Sequence, residues 1–267
     1  GDHRMKASRT FSKMTRTLVE YLVSVGLFVL IWQIYVTATK VPEFMLPTPR
    51  QVWQQLVKLF ADGTIWPHLW TTTSEVIIGF LLGSFLGILL GYVCEKVDAV
   101  KTALMPYLVF AQTSPKIALV PLFVVWFGIG LVSKVILIIS MVVFPVMMGM
   151  MLGIDSIPKD FNNLMKVLKG SKWQMFSEIE MPYSLPMLFS GLKNGIVQAV
   201  IGAIVAEFMA GKQGLGYILT YASSVYNTPM LIAGIIVTIV VGVVSYQILN
   251  SLENRLLYWH ESKRGEI

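Results

Sequence analysis

Cysteine occurs once in this chain, at Cys94, so no intramolecular disulfide forms and no paired-thiol redox or metal motif exists. Histidine is nearly as scarce. His3, His68 and His260 lie far apart and none has a second ligand at helical spacing, which leaves no metal site to propose. No G-x-x-x-x-G-K-S/T run is present, and the "GKQ" at 211–213 lacks the surrounding frame of a phosphate-cradling loop. Charge is the largest deficit: 13% of the 267 residues are charged and 55% are hydrophobic, against about 25% and about 45–50% in an average soluble domain. The excess lies in long apolar runs, which exclude a soluble domain and indicate an all-α integral membrane protein. The net charge of +6 does not point to nucleic acid, because the basic residues flank apolar runs, where the bilayer accounts for them.

About twenty apolar residues cross the hydrocarbon layer as a helix. Runs of that kind fall near 19–38, 75–94, 102–127, 132–153, 185–209 and 230–250, giving six spans within a membrane domain of 19–253. "GDHR" ahead of Met5 reads as a cloning remnant. The first run is too long for a signal-peptide core and is expected to stay. Counting Lys and Arg outside the spans or at their edges puts fourteen on one side (the tails 1–18 and 254–267, the 95–101 turn and the 154–184 segment) and five, Lys40, Arg50, Lys58, Lys134 and Lys212, on the other. With positive residues inside, both tails and 154–184 are cytoplasmic. On the opposite side, "TPRQ" (Thr48 to Gln51) is a capping box with proline at the first helical position. Trp53, Leu56, Val57 and Phe60 follow at i, i+3, i+4, i+7, so a helix over about 49–62 is expected on the membrane surface.

Within the spans, polar and small residues stand out. Gly79, Gly83, Gly87 and Gly91 are four apart and form one ridge for close helix packing, either within the subunit or between two. In the third span Pro106, Pro115 and Pro121 each remove a backbone donor. Between them lie Gln112, Thr113, Ser114 and Lys116. A lysine at that depth costs about 2.5–3.5 kcal/mol, so it should face a cavity or a partner. Ser190, Asn194 and Gln198 form a polar stripe at i, i+4, i+8 on the fifth span. Together these suggest a wet translocation path walled by spans three and five, with Asn194 and Gln198 equally readable as interhelical glue. Glu207, late in span five, is expected near the outer surface, too far off to pair with Lys116.

The segment 154–184 is wet and amphipathic between two apolar spans. Phe161, Leu164, Met165 and Leu168 make one apolar face. "KGSK" turns the chain, and "SKWQ" (Ser171 to Gln174) is a second capping box leading into Trp173, Phe176 and Ile179, a helix that Pro182 is expected to close. Two short amphipathic helices result. Their faces lie on the membrane, pack under their own bundle, or dock on a cytoplasmic partner.

At these residues the chain resembles a known family. "LKGSKWQMFSEIEMPYSLPMLFSGLKNG" looks like the cytoplasmic loop of binding-protein-dependent ABC importer permeases, nearest the nitrate/sulfonate/taurine branch, whose wording is close to L-G-A-S-x-W-Q-L-F-x-x-V-x-L-P-x-A-L-P-x-I-x-x-G-L. Ser171, Trp173, Gln174, Phe176, Pro182, Leu185, Pro186, Gly191 and Leu192 match. "LPTP" at 46–49, "PKIALVPLFVVWFGIG" at 115–130 and "AEFMAGKQGLGY" at 206–217 agree, so the resemblance covers about 40–255. Two departures stand out. The family's Glu-Ala-Ala falls on Asn163, Leu164 and Met165, and its usual glycine falls on Lys169 with Gly170 one place later.

The resemblance implies six transmembrane helices of type I ABC importer permease architecture in a bacterial inner membrane. Two such subunits, a homodimer, form the path for a small polar or anionic solute. A cytoplasmic ABC ATPase dimer, which carries ATP and Mg while this chain binds no cofactor, grips the two-helix coupling loop through Phe161, Leu164, Leu168, Gly170, Ser171, Trp173, Gln174, Phe176 and Pro182. An extracytoplasmic binding protein delivers the solute. An ATP-independent secondary transporter or channel is the alternative. It calls for inverted repeats and relay acids, and neither is evident in the sequence. A membrane enzyme would need a catalytic constellation at the membrane face, and the candidates are scattered.

Overall fold

The computed structural model describes residues 2–257, with side chains for 19–161 and 163–257. The last ten residues of the expected C-terminal tail lie outside that range. Among the described residues the protein is all helical, and it forms two compact units, 2–62 with 222–233 and 63–221 with 234–257.

In the first unit, α1 (Asp2–Thr39) runs without a break from the expected basic tail into the first apolar span. Helix α2 (Pro49–Ala61) starts where the capping box places it. The Thr48 N–H donates to Gln51 Oε1 at 2.7 Å, and the Gln51 N–H returns to Thr48 Oγ1 at 3.3 Å. Val52 and Leu59 are buried, whereas Trp53, Val57 and Phe60 are exposed along one stripe. Gln51, Gln54 and Lys58 line a polar cleft of about 580 Å³ with Tyr226 and Asn227.

The second unit is built on α3 (Ile65–Lys96), α6 (Leu131–Asp155) and α9 (Met181–Ala210). The glycine ridge lies against α6 of the same chain. A Cβ at Gly83 would come within 2.8 Å of the Val142 Cβ, one at Gly87 within 2.8 Å of the Val143 carbonyl, and one at Gly91 within 2.6 Å of the Met147 carbonyl. Apolar side chains gain little from leaving lipid for protein, so this backbone-level approach is what the packing rests on. As the α3 positions rise from 83 to 91, their α6 neighbours rise from 142 to 147, so the two helices run parallel. The same reading makes α9 antiparallel to both: Gly153 meets Ser184, Gly149 faces Gly191, and Gly195 lies on Val146 and Val142.

A parallel pair requires the chain between its members to return across the same thickness. Helices α4 (Asp98–Thr113) and α5 (Lys116–Phe127) make that return, bent by 99° where they meet. The six expected crossings therefore become five long apolar helices and this bent pair. Of the three prolines in the segment, only Pro115 makes the bend. It forces Ser114 into extended backbone (ψ 135°), while Pro106 and Pro121 sit inside helices. The short α10 (Leu215–Ser224) and the long α11 (Thr228–Leu256) are the last elements among the described residues. In the second unit α11 runs antiparallel to α9, with Glu253 beside Lys193 and Gly242 beside Val200.

Gly87→Val is expected to destabilise the protein by about 2 kcal/mol, because the added methyls meet backbone. Leu81→Val on the exposed face of the same helix should cost less than about 0.5 kcal/mol. Thermal unfolding of the two variants in detergent checks the contrast.

Candidate functional site

The bend at Pro115 places Lys116 as the first residue of α5. Lys116, Gln112 from α4, and Ser190, Asn194 and Gln198 from α9 open into one cavity of about 410 Å³, closed on another side by Phe144, Pro145 and Met148 of α6. The stripe read on the fifth span thus meets the polar break in the third. No carboxylate lines this cavity, and among the described residues none pairs with Lys116. A cation at a helix N-terminus also opposes the helix dipole. Lys116 thus enters the cavity as a cation with no counter-ion among the described residues. Thr113 and Ser114 are not part of this lining. Their hydroxyls turn back onto α4, Thr113 to the Val109 carbonyl at 3.0 Å and Ser114 to the Phe110 carbonyl at 2.8 Å.

Buried charge is more plentiful than the sequence suggested, and it sits toward the helix ends. Lys134 Nζ lies 2.6 Å from Glu75 Oε1, with the two side chains 9% and 3% exposed. Each residue stands four places before a ridge contact, Gly79 on Ile138, so the parallel register of α3 and α6 brings them together. Glu207 is engaged nearby. It accepts from the Thr72 hydroxyl at 2.7 Å and from the Gly216 N–H at 2.8 Å, at the N-terminus of α10, where a carboxylate is favoured. Thr72 also accepts from the Leu215 N–H at 2.8 Å, and the Gly214 N–H donates to His68 Nδ1 at 3.0 Å. A side chain at Gly216 would strike the Glu207 Cβ at 2.7 Å, so the glycines of "GKQGLGY" let the chain fold over this carboxylate. At the other end of the bundle Lys193 pairs with Glu253 at 2.6 Å, and Lys96 pairs with Glu180.

The wet segment forms one separate amphipathic helix, and the second expected helix is the start of the long helix that continues as α9. Helix α7 (Lys159–Val167) ends at Lys169, whose φ of 51° is the left-handed conformation that glycine prefers. The Gly170 N–H reaches the Met165 carbonyl at 2.9 Å, closing a Schellman turn with Gly170 one place beyond the strained residue. Ser171 then caps α8 (Lys172–Gln174), accepting from the Gln174 N–H at 3.2 Å. Pro182 does not end this helix. The chain continues through a π-helical turn (Met175–Glu180) straight into α9, and the Met181 N–H bonds back to the Phe176 carbonyl. The wider turn just before the proline accommodates its ring and its missing donor.

The expected apolar face also splits. Phe161 turns inward edge-on to Tyr183, with centroids 5.1 Å apart, and Phe176 sits edge-on to Tyr92 at 5.2 Å. Leu164, Leu168 and Trp173 face outward, with Trp173 71% exposed. Packing against the protein's own bundle therefore claims the two phenylalanines and leaves the other three free.

Residues 79–258 match the family model described as "Binding-protein-dependent transport system inner membrane component". The riboflavin transport system permease protein RibX of Chloroflexus aurantiacus is 31% identical over 90% of this chain and 90% of its own. The formylaminopyrimidine transport permease protein ThiX of Halalkalibacterium halodurans is 31% identical over 89% of this chain and 94% of its own. The putative aliphatic sulfonates transport permease protein SsuC of Bacillus subtilis is 31% identical over 90% and 87%. A solved structure of the MetNI methionine ABC transporter in an inward facing conformation shares the fold, with a TM-score of 0.58 at 17% identity over 78% of this chain and 94% of that one.

Lys134→Ala should destabilise the protein by about 3 kcal/mol, because it strands a buried carboxylate. Replacing both partners, Glu75→Leu with Lys134→Leu, is expected to recover most of that loss. Melting temperatures of the single and double variants measure it.

Proposed function

The chain belongs to the family of binding-protein-dependent transport system inner membrane components, and on that premise we propose how it moves its solute. The protein is a multi-pass permease subunit of a bacterial ABC importer, a transport subunit and not an enzyme, with ATP hydrolysis on a separate subunit. The secondary-transporter alternative is set aside by that family.

The cavity around Lys116 is the solute's station on the translocation path. The observation that carries this reading is an unpaired lysine sharing one cavity with Gln112, Ser190, Asn194 and Gln198 and with no acidic residue. Amides and a hydroxyl offer both donors and acceptors, and one cation without a counter-ion favours a small polar or anionic solute. Relatives named for aliphatic sulfonates, taurine and formylaminopyrimidine support that class. A second copy of the chain completes the path, and a solute-binding protein loads it from outside. Both termini and the α7–α8 segment face the cytoplasm, in keeping with the excess of Lys and Arg on that side.

The segment is the handle for the ATPase dimer, which carries ATP and Mg. Leu164, Leu168 and Trp173 supply the outward apolar contacts, and the Ser171–Gln174 capping box with the Gly170 turn fixes their angle. Closure of the ATPases on ATP pulls this handle and tilts α9 with it.

Lys116→Ala is expected to lower uptake of taurine, an aliphatic sulfonate or formylaminopyrimidine by about tenfold or more, the loss of one charge-assisted contact. Assembly with the ATPase should remain intact. Uptake into proteoliposomes, with co-purification as the control, checks both, and unchanged uptake of each solute the parent carries would contradict the role.

A further inference from the structure

The coupling residues named so far all lie on the loop, yet the loop is bound sideways to a second helix. Phe176 and Glu180 are four apart on the π-helical turn, and Tyr92 and Lys96 are four apart at the end of α3. The two pairs face each other. The rings of Phe176 and Tyr92 meet edge-on at 5.2 Å, the Tyr92 hydroxyl donates to Glu180 Oε2 at 3.0 Å, and Lys96 pairs with Glu180 Oε1. Glu180 is 2% exposed, so its carboxylate cannot exchange these partners for water while it stays in place. On the other side Phe176 touches exposed Trp173, with centroids 5.6 Å apart. A continuous set of contacts therefore runs from the outward face of the loop to the last turn of α3.

That last turn is mechanically placed. Lys96 is the final residue of α3, and α4 begins at Asp98. Lys101 on α4 bonds back to Glu95 at 2.9 Å, which stiffens the corner. The α4–α5 arm then carries Gln112 and Lys116 into the cavity, while α9, the direct continuation of the loop, carries Ser190, Asn194 and Gln198. A pull on the loop reaches the α9 wall through the backbone. It reaches the opposite wall through the contacts at Tyr92 and Lys96.

We propose that Tyr92, Lys96 and Glu180 form a strut that transmits the ATP-driven movement of the loop to α3 and thence to the α4–α5 wall, making them positioning residues for transport. This rests on the loop being the ATPase handle, and the test separates the two claims. A nitroxide is attached at Ile77→Cys, an exposed site on α3, with buried Cys94 left in place, in the permease reconstituted with its ATPase. The spectrum is compared with and without Mg-ATP and vanadate.

In the parent, trapping shifts the label. In Tyr92→Phe, which removes only a hydroxyl, and in Glu180→Gln, the ratio of shifted to unshifted label falls about tenfold, the factor expected for one hydrogen bond to a charged group. The swap Lys96→Glu with Glu180→Lys restores it, which mere loss of fold would not allow. A parent label that ignores trapping overturns the strut, as does a parent-sized shift in both Tyr92→Phe and Glu180→Gln. Trp173→Ala reports on the handle separately: a parent-sized shift there contradicts docking through Trp173, whatever the other variants do.

Discussion

The structure depends on backbone-to-backbone contact between α3, α6 and α9 across missing side chains. In lipid, burying leucine against leucine stabilises little, so helices associate through dispersion at close range and through polar links. Gly83, Gly87 and Gly91 let α3 lie on α6 at a distance no other residue allows, and Gly149 against Gly191 does the same for α6 and α9. From this contact follow the parallel direction of α3 and α6 and the need for α4–α5 to recross the membrane. It also sets the depth at which each polar side chain sits.

Register then decides where charge is tolerable. Glu75 meets Lys134 because both lie one turn before the Gly79–Ile138 contact. Such pairs gain little net stability once desolvation is counted, but a slip of one turn would strand both charges. They act as pins on a packing already set by glycine. Glu207, tied to Thr72 and the first turn of α10, closes one end of the bundle, and Glu180 and Glu253 secure the other.

Local features were legible in the sequence wherever the physics is local. The capping boxes at Thr48 and Ser171 form as their residue types dictate, since each is complete within four residues. The apolar runs located the long helices, and the glycine spacing marked the ridge. Features that depend on a neighbouring helix were not legible. Three prolines in one span look alike, and only the return path between parallel helices singles out Pro115. Thr113 and Ser114 read as path-lining residues, but their hydroxyls bond back to carbonyls of their own helix. Phe161 and Phe176 read as part of an outward face, but Tyr183 and Tyr92, distant in sequence, turn them in. Lys169 takes the left-handed conformation that glycine would favour, and Gly170 one place later closes the turn through its N–H.

The chain has no phosphate-binding loop, and as a permease of its family it leaves ATP hydrolysis to a separate subunit. Trp173, Leu168 and Leu164 face outward on a segment continuous with one cavity wall, and under the proposed function they are the residues an external motor grips. Placing a photoactivatable phenylalanine at position 173 or 168 and irradiating the assembled transporter tests this most directly. The account predicts that the crosslinked partner is the ATPase subunit, and that ATP with vanadate changes the yield. Capture of lipid alone, or of other parts of the same chain alone, would contradict it.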